Sequence, residues 1–173
     1  MLREYYRDWS PLIRSIVESV PHTRVYPNVA ASGIETWVLG EGRVTLAGDA
    51  AHAHGGAYAA GGSLAIDDAW AFAASILYVY PPDATVLPTR GEIARALGVY
   101  EGTRKAHTDR VLRVVHEGNR AKVERIGRSV SDEELRRRVG GSSGKEWIHE
   151  HDVQAAFRDA VARVASSHVE ARL

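Results

Sequence analysis

The chain has 173 residues, of which 45% are hydrophobic, with 22 basic and 22 acidic side chains and no cysteine. Such a length predicts one compact domain, 1–173. Because the charges balance, no protein-wide field attracts nucleic acid or an anionic membrane, and we expect a small-molecule partner instead. The lack of cysteine excludes disulfides, thiolate zinc sites and cysteine nucleophiles.

Residues 1–10 carry charges and aromatic rings where a signal peptide needs an apolar run. The longest apolar stretch, Leu64–Pro82, contains two aspartates and ends in two prolines, so it is too short to span a bilayer. We therefore expect a soluble, cytoplasmic protein.

The N-terminal half combines one helix with short strands. Apolar residues at three- and four-residue spacing predict an amphipathic helix over Tyr5–Val20, with Pro11 in its first turn. Gly40-Glu41-Gly42 predicts a tight turn. Runs of β-branched residues between Gly and Asn predict three strands, Thr23–Val29, Glu35–Leu39 and Arg43–Ala47.

The C-terminal half is predicted to be helical. Ser63–Tyr80 is apolar nearly all round, which is typical of a helix buried on most sides. A long charged helix over Glu92–Arg128 has possible breaks at Gly102 and Gly118. The Gly- and Ser-rich stretch 140–144 predicts a flexible connector, and a last amphipathic helix covers Asp152–His168. The fold class is α+β, mostly helical with a small β-sheet.

The segment with the most chemical information runs from a predicted strand into a turn at Gly48-Asp49. A carboxylate at a strand end is an exposed acceptor that suits a ligand rich in hydroxyl groups, and Gly48 leaves access open. Further along, Gly61-Gly62 begins the apolar helix, where unpaired N–H groups favour an anion. The same residues also suit an ordinary strand-to-helix connection.

These residues resemble a flavin-binding motif of the FAD-dependent aromatic monooxygenases of group A, the salicylate-hydroxylase type: G-D-A-A-H-P-x-x-P-x-x-G-x-G-x-x-x-A-I-E-D-A. The matching positions, with Asp67 in place of Glu, are Gly48, Asp49, Ala50, Ala51, His52, Gly61, Ala65, Ile66, Asp68 and Ala69. Other positions that look like the family are Trp37, then Leu97, Tyr100 and Arg104 as L-x-x-Y-x-x-x-R, and the tail Trp147–Asp152. The chain thus resembles the C-terminal portion of that fold.

The resemblance implies FAD as cofactor, NAD(P)H as electron donor and hydroxylation of an aromatic or polyketide-like small molecule. Asp49 would accept hydrogen bonds from the ribityl hydroxyls, and the turn at Gly48 and Ala50 would let the cofactor lie close. Gly61 and Gly62 would offer N–H groups to the N1–C2=O edge of the isoalloxazine. Asp68 would cap or brace the helix start.

The sequence also departs from the family. Ala53, Gly56 and Ala59 replace two prolines and a glycine of the motif, which raises the entropy cost of ordering the loop. There is no G-x-G-x-x-G with a following acidic residue, so the FAD site is incomplete at its ADP end. We expect a truncated relative that forms a homodimer or pairs with a chain supplying the missing half.

Two other functions compete with the monooxygenase. His52 and Asp49 could form an acid-base pair for an isomerase, cyclase or dehydratase without flavin. Its cavity would be lined by four aromatic residues, Trp37, Tyr58, Trp70 and Phe72. Alternatively, the chain is a non-catalytic partner subunit.

A metal site is a further possibility, because His52-Ala53-His54 would point two imidazoles the same way on an extended segment. Spacing gives no third ligand, so we predict no metal. We expect His149 and His151 to lie on a solvated surface.

Overall fold

The computed structural model describes residues 2–24, 26–125, 130–140 and 144–170. They form a mostly helical fold with one two-stranded antiparallel sheet, which confirms the predicted α+β class. The elements are α1 Leu2–Tyr5, α2 Pro11–Ser19, β1 Val38–Leu39, β2 Val44–Thr45, α3 Asp49–His52, α4 Gly61–Val79, α5 Arg90–Val123, α6 Asp132–Gly140 and α7 Val153–Glu170. Two single 3₁₀ turns lie at Ala57–Ala59 and Glu146–Ile148.

The N-terminal helix is divided in two, where the sequence predicted one helix over Tyr5–Val20. Ser10 is extended, with φ −54° and ψ 152°, because a residue before proline is disfavoured from the helical region. Pro11 then opens α2 as predicted, since the first turn needs no N–H from it. None of the residues of α1 and α2 is buried.

The sheet is shorter than predicted. Val38 pairs with Thr45 and Leu39 with Val44 around the predicted turn at 40–42. Just before β1, a Glu101 carboxylate oxygen accepts from the Trp37 N–H. At the start of β1, the Thr36 hydroxyl accepts from the Val38 N–H at 3.1 Å. The predicted strand at Thr23–Val29 is wrong: none of its described residues is in a strand, since the described chain offers it no ladder partner.

Three long helices, α4, α5 and α7, pack pairwise and form the core. One buried cluster joins α4 to α5 and the second 3₁₀ turn, and contains Ala60, Leu64, Val111, Val115 and Ile148. A second cluster holds the sheet and α3 against the helices, and contains Trp37, Ala51, Ala71 and Tyr100. The long helices begin and end within a few residues of the predicted bounds.

The long helix α5 continues through Gly102 and Gly118, where the sequence allowed breaks. A Cβ at Gly102 would lie 3.6 Å from the Ala160 Cβ of α7, and the Gly102 carbonyl accepts from Arg163 at 3.0 Å. Glycine here serves close helix packing rather than a bend. The predicted end of this helix at Arg128, and residues 141–143 of the predicted connector, lie outside the described residues.

Helix α4 is less buried than its composition predicted. Its buried residues recur along one face, at Leu64, Asp68, Ala71, Ser75 and Val79. Large apolar side chains on its other faces are exposed, including Ile66 at 71% and Leu77 at 52%. Among the described elements α5 and α7 are its main packing partners, and they cover one side. No described helix combines the length and apolarity needed to cross a membrane.

Candidate flavin-facing site

The turn at Gly48 presents a carboxylate to the surface. Gly48 has φ +56°, which favours glycine, and a Cβ placed there would meet no atom within 4 Å. The Asp49 and Ala50 side chains that follow in α3 are exposed. Gly48, Asp49 and Ala50 therefore form an open surface, on which a ligand can come into contact with the backbone.

A buried carboxylate lies directly behind this turn. Asp68 of α4 accepts a hydrogen bond from the Gly48 N–H at 2.7 Å and another from His52 Nε2 at 2.7 Å, both on Oδ2. Its Oδ1 accepts from Arg104 Nε at 2.8 Å. We call Gly48, His52, Asp68 and Arg104 the Asp68 cluster. Three of its side chains, those of His52, Asp68 and Arg104, are at most 2% exposed.

The Asp68 cluster keeps its carboxylate ionised. Burial by itself raises the pKa of Asp68, but hydrogen bonds from His52 and Arg104, with that of the Gly48 N–H, outweigh burial and hold this pKa below its ordinary value. Asp68 lies well inside α4, so it braces the turn rather than capping the helix.

Arg104 connects the cluster to α5 and back to α4. Its Nη2 donates to the Leu64 carbonyl at 3.2 Å, and its Nη1 lies 3.3 Å from a carboxylate oxygen of Asp67, which is 28% exposed. A fully buried guanidinium is tolerated only when carboxylates and carbonyls surround it in this way. Two successive aspartates thus hold one arginine.

Aromatic rings close the site from the sheet side. The Trp37 ring, which is fully buried, lies 5.7 Å from the His52 ring and 5.9 Å from the Tyr100 ring, measured between centroids. Tyr100 donates its hydroxyl to the Leu46 carbonyl at 3.2 Å. Burial, with the nearby Asp68 charge, raises the pKa of Tyr100 well above its ordinary value, so the hydroxyl stays a donor.

The start of α4 forms the second open surface. No side chain caps this helix, and none of the described residues accepts from the N–H groups of Gly61 and Gly62. Gly62 has open space where a Cβ would stand, whereas at Gly61 the His54 ring carbon Cε1 would be 3.6 Å away. His54 is buried, and its Nδ1 pairs with the His52 carbonyl at 3.2 Å. The imidazole of His54 therefore supports the helix start from below.

The loop between α3 and α4 has left-handed backbone at two positions where the sequence departs from the family motif. Gly56, which stands where the motif has proline, has φ +70°, a value that the proline ring excludes. Ala59, which stands where the motif has glycine, has φ +51° and is strained for a residue with a Cβ. The loop has its own conformation, built on glycine and strained residues rather than on prolines.

The structure pairs His52 with Asp68 rather than with Asp49. His52 is 2% exposed and its Nε2 lies 2.7 Å from Asp68 Oδ2, while the Asp49 side chain is exposed. Catalytic roles for His52 and Asp49 stay predictions, but an acid-base pair between these two is not formed. Reasoning from the sequence gave His54 no structural role and gave Arg104 only as a position that looks like the family. The signal that could have indicated the buried cluster is a polar residue, Asp68, at a core position of an apolar helix.

The aromatic residues expected around one cavity are dispersed. Trp37 belongs to the core, Trp70 packs edge-on against Phe157, and Phe72 packs edge-on against Tyr100. Only Tyr58 lines the 360 Å³ pocket described below. Among the described residues no group of three His, Cys, Asp or Glu side chains could hold a metal ion.

A second histidine cluster lies where α5 meets the segment before α7. His151 stacks on His107 with ring centroids 4.0 Å apart and planes 8° apart, so the expectation of a solvated His151 is wrong, whereas His149 is exposed. Burial, then the neighbouring His151 and Arg104, lowers the pKa of His107 to about 4. Burial likewise lowers the pKa of His151. Both rings favour the neutral form.

Comparison with known families agrees with this geometry. The family described as FAD binding domain matches residues 28–115, just over half of the chain, and the match contains both open surfaces and the whole Asp68 cluster. No curated protein and no solved structure shows a significant match. With half of its length matched, and with its flavin-motif residues gathered around one buried carboxylate, the chain belongs to the FAD binding domain family, and is thereby related to the FAD-dependent hydroxylases.

Proposed function

We propose that the chain holds the isoalloxazine and ribityl part of FAD and serves the NAD(P)H-dependent hydroxylation of an aromatic or polyketide-like small molecule. The observation that carries the proposal is the hydrogen bond from the Gly48 N–H to Asp68 of α4. It ties the turn that presents Asp49 to the helix that presents Gly61 and Gly62. Sites built on rigid elements hold ligands most accurately.

Each open surface suits one part of the cofactor. The exposed Asp49 carboxylate would accept hydrogen bonds from ribityl hydroxyls, which are donors. The free N–H groups of Gly61 and Gly62, with the positive end of the α4 dipole, would stabilise negative charge at the N1–C2=O edge. When bound, the flavin supplies the electron transfer from NAD(P)H and the activation of dioxygen.

The ADP end of FAD requires residues that the sequence does not contain, because it has no G-x-G-x-x-G. We propose that another chain supplies these residues, and that a second copy of this chain covers its exposed apolar surface. Large apolar side chains on α2 and α4, such as Leu12 and Ile66, are exposed in the single chain, which supports a partner that covers them.

A flavin titration of the purified chain tests the proposal. We expect the visible bands of bound flavin to appear with riboflavin as well as with FAD, and dissociation constants within about threefold, because the chain contributes no ADP contacts. A colourless preparation that gains no band with either flavin would refute flavin binding and favour a flavin-free or non-catalytic role. NADPH-dependent bleaching of the band then tests the oxidoreductase step.

Asp49→Ala tests the ribityl contact. Loss of a carboxylate that accepts from hydroxyl groups weakens binding by about tenfold, and Asp83→Ala, which removes another exposed aspartate, leaves it unchanged. An equal loss in both variants would indicate general electrostatics instead of a contact.

Gly62→Ala distinguishes an effect on flavin binding from an effect on the stability of the fold. Alanine stabilises a helix relative to glycine by about 1 kcal/mol, and the structure has room for its Cβ. We expect an unchanged or raised melting temperature together with weaker flavin binding, since the methyl group lies on the proposed flavin surface. Unchanged flavin affinity would place the isoalloxazine elsewhere.

A further inference from the structure

A pocket of about 360 Å³ lies beside the C-terminal half of α5. Its wall on α5 contains Val115, Asn119 and Lys122, and Arg125 follows just after the helix. The other side is closed by Tyr58 and Lys145 from two distant segments. None of the five predicted flavin residues, Gly48, Asp49, Ala50, Gly61 and Gly62, lines it. The volume suits a small organic ligand.

The pocket is positively charged. Lys122, Arg125 and Lys145 line it, and no described lining residue carries a carboxylate. Glu146, next to Lys145, instead accepts from the Gly144 N–H at 2.8 Å.

None of these three cations forms an ion pair within the described residues. Three cations around one cavity without a counter-charge attract an anion.

An aromatic ring gives the pocket an apolar side. Tyr58 is held with φ +58°, a strained conformation for a residue with a side chain. Lys145 Nζ donates to the Tyr58 hydroxyl at 3.0 Å and lies 4.6 Å from the ring centroid. This contact joins residues 87 positions apart and fixes the ring at the pocket edge. Val115 adds an aliphatic surface.

We propose that this pocket binds a small organic anion in which a phosphate or carboxylate group is attached to an apolar ring. The oxyanion lies among Lys122, Arg125 and Lys145, with Arg125 able to donate two hydrogen bonds to one oxyanion group. The ring lies against Tyr58 and Val115. The residues of this site are not those of the proposed flavin surface, so its test does not depend on flavin binding.

Calorimetric titration of the whole chain at low salt tests the proposal with phenyl phosphate, benzoate, inorganic phosphate and phenol. We expect phenyl phosphate to bind at least about tenfold more tightly than inorganic phosphate or phenol, because it alone uses both the cations and the ring. Benzoate, with one negative charge, is expected to lie between them. Inorganic phosphate as tight as phenyl phosphate would overturn the organic ligand, and no saturable binding would overturn the site.

A matched pair of double variants distinguishes the pocket from general charge. Lys122→Gln with Arg125→Gln removes two pocket cations and is expected to weaken phenyl phosphate binding by about tenfold or more. Arg113→Gln with Arg120→Gln removes two exposed cations of α5 that do not line the pocket, and is expected to change binding less than about twofold.

Equal losses in the two double variants would overturn the proposal. Tyr58→Phe, which removes only the hydroxyl that holds Lys145, gives a second check. A loss of about threefold in phenyl phosphate affinity supports the assigned geometry, and an unchanged affinity contradicts it.

Discussion

Asp68 connects three segments of the chain through one carboxylate, because donors from the Gly48 turn, from α3 and from α5 all reach it. Its neighbour Arg104 is fully buried and has this carboxylate as its main counter-charge. These contacts give the family motif a structural role. Asp68, which matches the flavin motif, holds two other motif residues, Gly48 and His52, in place.

Asp68→Asn should destabilise the fold strongly. The amide keeps the shape but leaves the buried Arg104 charge without its partner, which costs about 3–5 kcal/mol. Urea unfolding followed by circular dichroism measures the change. Asp67→Asn is the control, since Asp67 is partly exposed and 3.3 Å from Arg104, and should cost about 1 kcal/mol or less. Similar losses in the two variants would contradict the central position of Asp68.

The stacked histidines make stability depend on pH. The pKa of His107 is about 4 when folded and ordinarily 6.5, so the unfolded chain binds a proton between these values and the folded chain does not. The contribution is therefore fully present above pH 6.5 and is lost as pH falls towards 4, by up to about 3 kcal/mol. The groups facing the pair are Arg104, Arg110, Trp147, Asp67 and Asp152.

His107→Asn tests this dependence. The asparagine amide can still donate to the Ile148 carbonyl, to which His107 is hydrogen-bonded, but the amide does not titrate. Unfolding free energies measured from pH 7 to pH 4 should fall less steeply in this variant than in the wild type. His149→Asn, at an exposed histidine, should leave the slope unchanged. A wild-type slope in His107→Asn would exclude His107 as its source.

Helix α5 begins with a capping motif whose two residues lie close together in the sequence. Thr89 accepts from the Glu92 N–H through Oγ1, and Glu92 accepts from the Thr89 N–H at 2.7 Å, which together form a capping box. The hydrogen bonds that the Thr89 N–H and hydroxyl donate to the Glu92 carboxylate hold the pKa of Glu92 below its ordinary value. Since α5 packs against both α4 and α7, its start sets the position of the core.

Thr89→Ala is expected to lower the free energy of unfolding by about 1 kcal/mol, because the Glu92 N–H loses its acceptor and the Glu92 carboxylate loses a hydroxyl donor. Thermal melting measures this loss. Thr85→Ala, in the loop before the helix, provides the comparison and should change stability by less than about 0.5 kcal/mol. A smaller effect at position 89 than at position 85 would argue against the cap.

The chain as a whole leaves apolar surface exposed at its N-terminal end. Leu12 and Ile16 of α2 are 70% and 53% exposed, and no residue of this helix is buried. If, as we propose, a second copy covers this surface, sedimentation should show a dimer. The double variant Leu12→Asp with Ile16→Asp should then be monomeric with nearly unchanged monomer stability, since neither side chain belongs to the core.

Leu87→Asp, at an exposed loop position, is the control and should remain dimeric. A monomeric wild type, or a dimer that survives both aspartates, would rule out this face as the contact between copies.

Local patterns predicted much of this architecture. The turn at 40–42, the three long helices and the match to the flavin motif all depend on residues near one another in the sequence, where periodicity and backbone preference act directly. The same patterns failed for the strand at Thr23–Val29, because an extended segment becomes a strand only if a partner strand lies beside it. They also overestimated the burial of α4, whose cover depends on which elements pack there.

By itself, the sequence determined the family, the helical class and the two glycine-bearing surfaces. Only the tertiary structure decided that His52 pairs with Asp68 rather than Asp49, and that Asp68 also binds Arg104, 36 positions away. Side chains far apart in sequence choose partners by where packed helices place them. The Gly48 turn that first indicated a ligand is therefore positioned by a buried charge cluster, and helix packing, not spacing, creates it.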